Sequence, residues 1–191
     1  ISVVIVAYMA QDVISDCIDS LLRQTIPKEK YEIIVVADDK GTYDAVEKYM
    51  PSSVPQIKVK HRAQRGNIPS ARNVGIHLSR GEIIAFTDSD CVADDRWLEK
   101  LCEGFKHFPT VVGVGGPVKP FSLDPVSRAL ELLNMVSWSG GDMSFKKTLA
   151  TSNAAYRKDV LTKIGGFDEN ASVGEDLDLY RRITQQGYQV L

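Results

Sequence analysis

Apolar residues fall into two alternating patterns along this chain. Ser2-Val3-Val4-Ile5-Val6-Ala7, Ile33-Ile34-Val35-Val36-Ala37, Glu82-Ile83-Ile84-Ala85-Phe86 and Val111-Val112-Gly113-Val114 are short, nearly unbroken runs. They predict strands covered on both faces. Ile57 to Lys60 predicts a further, more exposed strand. Between the runs the spacing becomes helical. Residues 11–24 carry Val13, Ile14, Cys17, Ile18, Leu21 and Leu22 and stop before Pro27. A helix over about 43–49 is stopped by Pro51, and another is predicted over about 96–108. Asn67 can cap a helix with Pro69 in its first turn. Its positions Ala71, Val74, Gly75 and Leu78 share a face, which leaves Arg72 and Asn73 off it. Strand–helix alternation over the first 115 or so residues predicts a mostly parallel sheet flanked by helices, an α/β fold. The pattern then loosens. A helix is predicted near 125–137, a break at Gly140-Gly141, an extended segment over 149–156 and two short helices. In the last of these, Leu177, Tyr180 and Ile183 are expected to share a face.

The bulk numbers narrow the class. A chain of 191 residues, 43% hydrophobic and 25% charged, suits one globular domain with a sizeable core. A net charge of −2 argues against nucleic acid as the partner. The basic stretch Lys58-Val59-Lys60-His61-Arg62, continued to Arg65, reads as an exposed strand edge and loop, with a role near a phosphate as the alternative. Cys17, Cys91 and Cys102 are few, odd in number and without a Cys-x-x-Cys, which fits a reducing, cytoplasmic setting. No apolar run approaches the roughly 20 residues that span a bilayer. Ile1 already lies in a strand pattern and Leu191 in another. The expectation is a domain excised from a longer protein, with any contact to the cytoplasmic face of a membrane made through regions outside this chain.

The candidate chemistry is acidic. Thr87-Asp88-Ser89-Asp90 follows an apolar strand, where open α/β sheets bind ligands. Two carboxylates one residue apart can hold a hard divalent cation, and the cation a diphosphate. Ala7-Tyr8-Met9-Ala10 after the first strand is not glycine-rich, which removes a dinucleotide fingerprint and a P-loop. Asp38 ends the second strand, where a carboxylate can accept from a base N–H or a ribose hydroxyl; a turn aspartate before Gly41 is the alternative. Arg72 lies in a helix that begins near Asn67 and suits a diphosphate or a pairing with Asp88. Gly174 reads as a cap before Glu175, Asp176 and Asp178. Three acids in four positions exceed what a helix dipole needs, so at least one is expected to face a cleft.

In this order and spacing, these pieces resemble the family-2 glycosyltransferases of GT-A fold. The resemblance covers Ser20-Leu21-Leu22-Arg23-Gln24-Thr25, Ile33 to Asp38, Ala71-Arg72-Asn73-Val74-Gly75-Ile76, Gly81 to Asp90, Gly165-Gly166-Phe167-Asp168-Glu169 and Gly174-Glu175-Asp176-Leu177-Asp178-Leu179. It implies a metal-dependent, inverting transfer of a hexosyl-type sugar from a nucleoside-diphosphate donor (UDP- or GDP-linked) to a hydroxyl of a glycan or lipid-linked saccharide. One domain is implied over 1–191, with a nucleotide-binding half over 1–115 and an acceptor half over 116–191. Tyr8, Asp38, Arg72 and Asp88 are implied on the nucleotide and donor, Asp90 on Mg²⁺ or Mn²⁺, and Asp176 as general base with Glu175 beside it. Asn153 and Tyr156 are implied on the acceptor side; residues 121–150 are the least family-like and are expected to shape the acceptor cleft. The chain departs from the family at Ala37, where an aspartate is usual, and at Asp39-Lys40, where Gly-Ser is usual. The family's later histidine ligand has no match at His61, His77 or His107. Two other readings remain open here: a nucleotidyltransferase making sugar nucleotides, which lacks support from a glycine-rich loop, and a non-catalytic nucleotide- or glycan-binding module.

Overall fold

A computed structural model describes residues 1–51, 54–119, 149–171 and 173–191. Seven strands form one sheet: β1 (Ser2–Ala7), β2 (Glu32–Ala37), β3 (Gln56–His61), β4 (Ile83–Asp88), β5 (Val111–Gly115), β6 (Ala154–Arg157) and β7 (Gln189–Val190). Helices α1 (Ile14–Leu22), α2 (Lys40–Glu47), α3 (Ile68–Leu78), α4 (Trp97–His107), α5 (Lys158–Lys163) and α6 (Glu175–Gln185) connect or follow them. The helix expected near 125–137, the Gly140-Gly141 break and most of the segment 121–150 lie outside the described residues.

The strand order is β3-β2-β1-β4-β6-β5-β7. Strands β1 to β4 are mutually parallel where they pair, and β6 is antiparallel to both β4 and β5. The order reverses at β1, between β2 and β4, the place where open sheets leave a crevice at their carboxyl edge. β3 is an edge strand, as its mixed burial requires.

Alternation along the strands builds two cores. Val3, Ile5, Ile33 and Val35 face Ile14, Ile18, Leu21, Leu98 and Phe105 of α1 and α4. Val4, Ile34, Ile84, Phe86 and Tyr156 face Ile76, Phe167, Leu179 and Ile183 on the other side. There α3 approaches β1 so closely that a Cβ on Gly75 would stand 2.2 Å from Val4 Cγ1. Asn67 caps α3 as expected: its side chain accepts from Ser70 N at 2.9 Å, and Pro69 sits in the first turn.

Three local expectations are corrected. The strand expected over 82–86 runs Ile83–Asp88, so Thr87 and Asp88 are strand residues held in register beside Ile5 and Val6. Arg72, expected off the apolar face of its helix, is buried, because carboxylates from other elements surround its head. In α6 the buried positions are Leu179 and Ile183, while Leu177 is exposed. The helix is rotated from the expected phase, and Asp176 rather than Leu177 lies on the inward side, one turn from Leu179.

Candidate active site

The elements that carry Tyr8, Asp38, Asp88, Asn153, Glu175 and Asp176 bring them to the carboxyl edge of the sheet, whereas Tyr156 lies within β6 in register with Ile84. Tyr8 follows β1, Asp38 follows β2, and Asp88 ends β4. Asn153 precedes β6, which enters from this edge because it runs antiparallel. Gly174 opens α6 at a φ of +78°, a left-handed conformation that glycine adopts without cost, and the next two residues are Glu175 and Asp176.

Arg72 sits at the centre. Its Nη1 donates to Glu175 Oε1 at 2.7 Å and lies 3.7 Å from Asp176 Oδ1, and its Nη2 lies 3.8 Å from Asp88 Oδ1. One guanidinium thus gathers three carboxylates from β4 and α6. Asp176 has a second anchor, Thr151, which donates to it from the backbone N–H at 3.1 Å and from Oγ1 at 2.9 Å. Burial is the largest influence on Asp176 and raises its pKa above the usual aspartate value, despite Thr151 and Arg72. Burial likewise raises Asp88, with Arg72 opposing and Asp90 and Asp176 adding to the rise. Glu175 differs. Burial pushes it up, but the Arg72 hydrogen bond and charge outweigh this and hold it below the usual value. Neighbouring acids are therefore driven in opposite directions, a division found where acid–base work is done.

Asp90 is exposed beyond the strand end. One ligand atom each from Asp88, Asp90 and Cys91 can be chosen so that all three lie within 4.8 Å of one another. Such spacing and two carboxylate donors fit a divalent cation. Cys91 has no place in the sequence expectation; its adjacency to Asp90 was the only available signal.

A second group lies at the end of β2. Arg62 forks onto both oxygens of Asp38 and donates to Ser70 Oγ at 2.7 Å, tying β2 to α3. Each Asp38 oxygen keeps a lone pair for a further donor. The Arg65 guanidinium stacks over the Tyr8 ring, with Cζ 3.8 Å from the centroid. Arg62 and Arg65, from the basic stretch that reads as an exposed strand edge and loop, thus serve this corner. Asp39 caps α2, accepting from Thr42 N and Met9 N.

The acceptor-side candidates are placed differently from one another. Asn153 accepts from Trp97 Nε1 at 2.7 Å and donates to the Pro117 carbonyl at 2.9 Å, so its amide ties α4 to the segment after β5. Tyr156 is packed edge-on against Phe86 beneath the site, where burial and the nearby charge of Asp176 raise its phenol. Thr151 could not be picked out in sequence, since nothing marks a threonine as the partner of an acid 25 positions on.

The chain matches the family described as glycosyl transferase family 2 over residues 2–165. It belongs to that family. Among curated members and relatives, it is 29% identical to Glycosyltransferase AglE of Haloferax volcanii, over 98% of this chain and 62% of that protein. It is 27% identical to the Glucosyl-dolichyl phosphate glucuronosyltransferase of the same organism, over 89% of this chain and 56% of that protein. The chain therefore spans about six-tenths of the length of these relatives. Its fold is GT-A: the mannosyltransferase PcManGT from Pyrobaculum calidifontis, solved in complex with GDP-Man and Mn²⁺, superposes over the whole chain. The TM-score is 0.80 at 21% identity, over 53% of that structure. S. aureus TarS 1-349 in complex with UDP-GlcNAc gives 0.72 at 22% identity, over 55% of that structure. Among the described residues of this family-2 domain, no helix is long and apolar enough to cross a membrane.

Proposed function

We propose that this domain transfers a sugar from a nucleoside-diphosphate donor to a saccharide or lipid-linked acceptor hydroxyl, with inversion at the anomeric carbon. The observation that carries the reading is the Arg72 hub, which joins the end of β4 to the start of α6. Family membership supports glycosyl transfer. The bound molecules named for the structural neighbours, GDP-Man with Mn²⁺ and UDP-GlcNAc, support a nucleotide sugar as donor.

Each residue has a physical role in this reading. Tyr8 and Asp38 receive the base and ribose, with Asp38 held in place by the fork of Arg62. Asp88 accepts from ribose or donor-sugar hydroxyls. Arg72 offers its remaining N–H groups to the diphosphate, whose charge grows as the glycosidic bond breaks. A Mg²⁺ or Mn²⁺ ion on Asp88 and Asp90, with Cys91 adjacent, would supply positive charge to the same leaving group. Asp176 takes the proton of the acceptor hydroxyl as it attacks. Its raised pKa makes it a stronger base than an exposed aspartate, and Thr151 fixes its orientation. Glu175 positions Arg72. Asn153 and Tyr156 shape the acceptor side by holding the backbone before and within β6.

The test is calorimetric titration of UDP, GDP and their sugars with Mn²⁺, followed by donor hydrolysis and transfer. Nucleotide-diphosphate binding that needs the cation and is lost in Asp90→Ala supports the reading. Binding of neither nucleotide under these conditions, with Asp90→Ala unchanged, would refute it.

A further inference from the structure

The opposite end of the sheet carries charge of the other sign. A cavity of about 740 Å³ opens there between Arg80, Gly81, Glu82, Arg157, Lys158, Asp159, Thr162 and Lys163. Its place follows from topology: Arg80 to Glu82 precede β4, and Arg157 ends the antiparallel β6 in register with Ile83. The whole length of β4 separates it from Asp88.

Four cations and two acids line the cavity, a local excess of positive charge in a chain whose net charge is −2. Three of the cations are oriented by neutral groups. Arg157 donates to the Val111 and Pro109 carbonyls at 3.0 and 3.1 Å. Lys158 Nζ donates to the Ser79 carbonyl at 2.5 Å. Lys163 Nζ donates to Tyr188 Oη at 3.0 Å and stands over that ring. A carbonyl fixes a cation's direction without cancelling its charge. Among the described residues, Arg80 alone of the four is ion-paired, with Glu32. Asp159 is occupied as acceptor for the Val160 N–H at 2.8 Å, and Glu82 is exposed on the rim.

The walls are rigid. The Lys158 N–H bonds to the Glu82 carbonyl at 2.9 Å, locking the start of α5 to the strand beside it. Gly81 lies so close to the first strand that a Cβ would meet the Ile1 carbonyl carbon at 2.6 Å. Pre-oriented guanidinium and ammonium groups around a pocket of this size suit a compact anion with several acceptor oxygens.

We infer that this cavity is a phosphate-binding site at the amino edge of the sheet, separate from the catalytic edge. The phosphate is either free or the headgroup of an anionic lipid. The inference does not depend on the transfer reaction.

Inorganic phosphate and pyrophosphate are titrated into the protein at constant ionic strength and followed by ¹⁵N amide shifts. In parallel, the protein is sedimented with phosphatidylglycerol and phosphatidylcholine vesicles. Saturable shifts at Gly81 and residues 157–159, weakened about tenfold in the double variant Lys158→Gln/Lys163→Gln, support the site. Lys40→Gln, at the other edge, is expected to bind as wild type does. Vesicle binding confined to the anionic lipid and lost in the double variant identifies a headgroup, whereas phosphate binding without vesicle binding identifies a free anion. The single variant Lys163→Glu, at an exposed position, repeats the test without touching the Ser79 contact. Absence of both phosphate and vesicle binding, or binding that the cavity variants leave unchanged, would overturn the proposal.

Discussion

Arg72 and Glu175 are 103 positions apart in the chain and 2.7 Å apart in the fold. Both are largely shielded from water, with side chains 6% and 18% exposed. Removing one charge of such a pair leaves the other poorly solvated. Asp88 and Asp176 nearby soften that loss for Arg72. Glu175→Gln is accordingly expected to lower stability by about 1–3 kcal/mol, read as a fall in the urea midpoint. Nucleotide binding should weaken with it, since the guanidinium loses its closest anchor.

Asp176→Asn separates the proposed role as base from the role as anchor. Thr151 can still bond to the amide oxygen, so donor binding should persist while transfer falls about 100-fold or more. Burial raises the Asp176 pKa, and the base must be ionised to act. Transfer should therefore rise with pH through a midpoint above the ordinary aspartate value of about 3.9. Single-turnover rates against pH test this. A wild-type acid limb that persists unchanged in Asp176→Asn would assign the base elsewhere.

Glu32 contributes to the acid limit of the fold. Burial opposes its charge, but hydrogen bonds from Lys58, Ser2 and the Arg80 N–H outweigh burial and bring its pKa down from 4.5 to about 2. A depressed carboxylate contributes stability that is present above its unfolded pKa and lost as pH falls toward the folded one. The loss should fall between pH 4.5 and about 2, and Glu32→Gln should flatten that limb of a stability–pH curve. Asp88 and Asp176 act with the opposite sign. Their raised values mean that the folded state holds protons more tightly, so their contribution is fully present below the ordinary aspartate value of 3.8 and declines as pH rises above it.

Asn73 fastens the loop that leads into α6. Its side chain donates to the Phe167 carbonyl at 2.9 Å and to Glu169 Oε1 at 2.9 Å, and accepts from the Phe167 N–H at 2.8 Å. Asn73→Ala leaves partly buried backbone groups without partners, a loss of about 1–3 kcal/mol. Hydrogen exchange should quicken over residues 166–170 before it does in β1 or β2.

Period and polarity in the sequence were enough for β1, β2, β4, β5 and the helices between them, because buried parallel strands must be continuous apolar runs. Asp88, Asp90 and the acids of α6 were legible as acids in excess of local need. What eluded the sequence depends on contacts between distant elements. The phase of α6 is set by Arg72 drawing Asp176 inward, so Leu177, apolar by type, is left exposed. Arg62 reads as one cation in a solvated run, and only the parallel pairing of β2 with β3 brings it to Asp38. Thr151 and Cys91 are ordinary residues whose positions alone make them partners of the site.

The place of β6 limits how the chain can be divided. Within the described residues, β5 reaches β4 and the strands beyond it only through β6, and its other neighbour is β7 at the edge. A fragment ending at residue 115 would carry β5 with no strand beside it, and Arg72 without Glu175 and Asp176. Residues 1–115 and the part of the chain from β6 onward are therefore not interchangeable cassettes. Exchanging one between relatives would require β6 and its hydrogen-bonding neighbours on both sides to travel together.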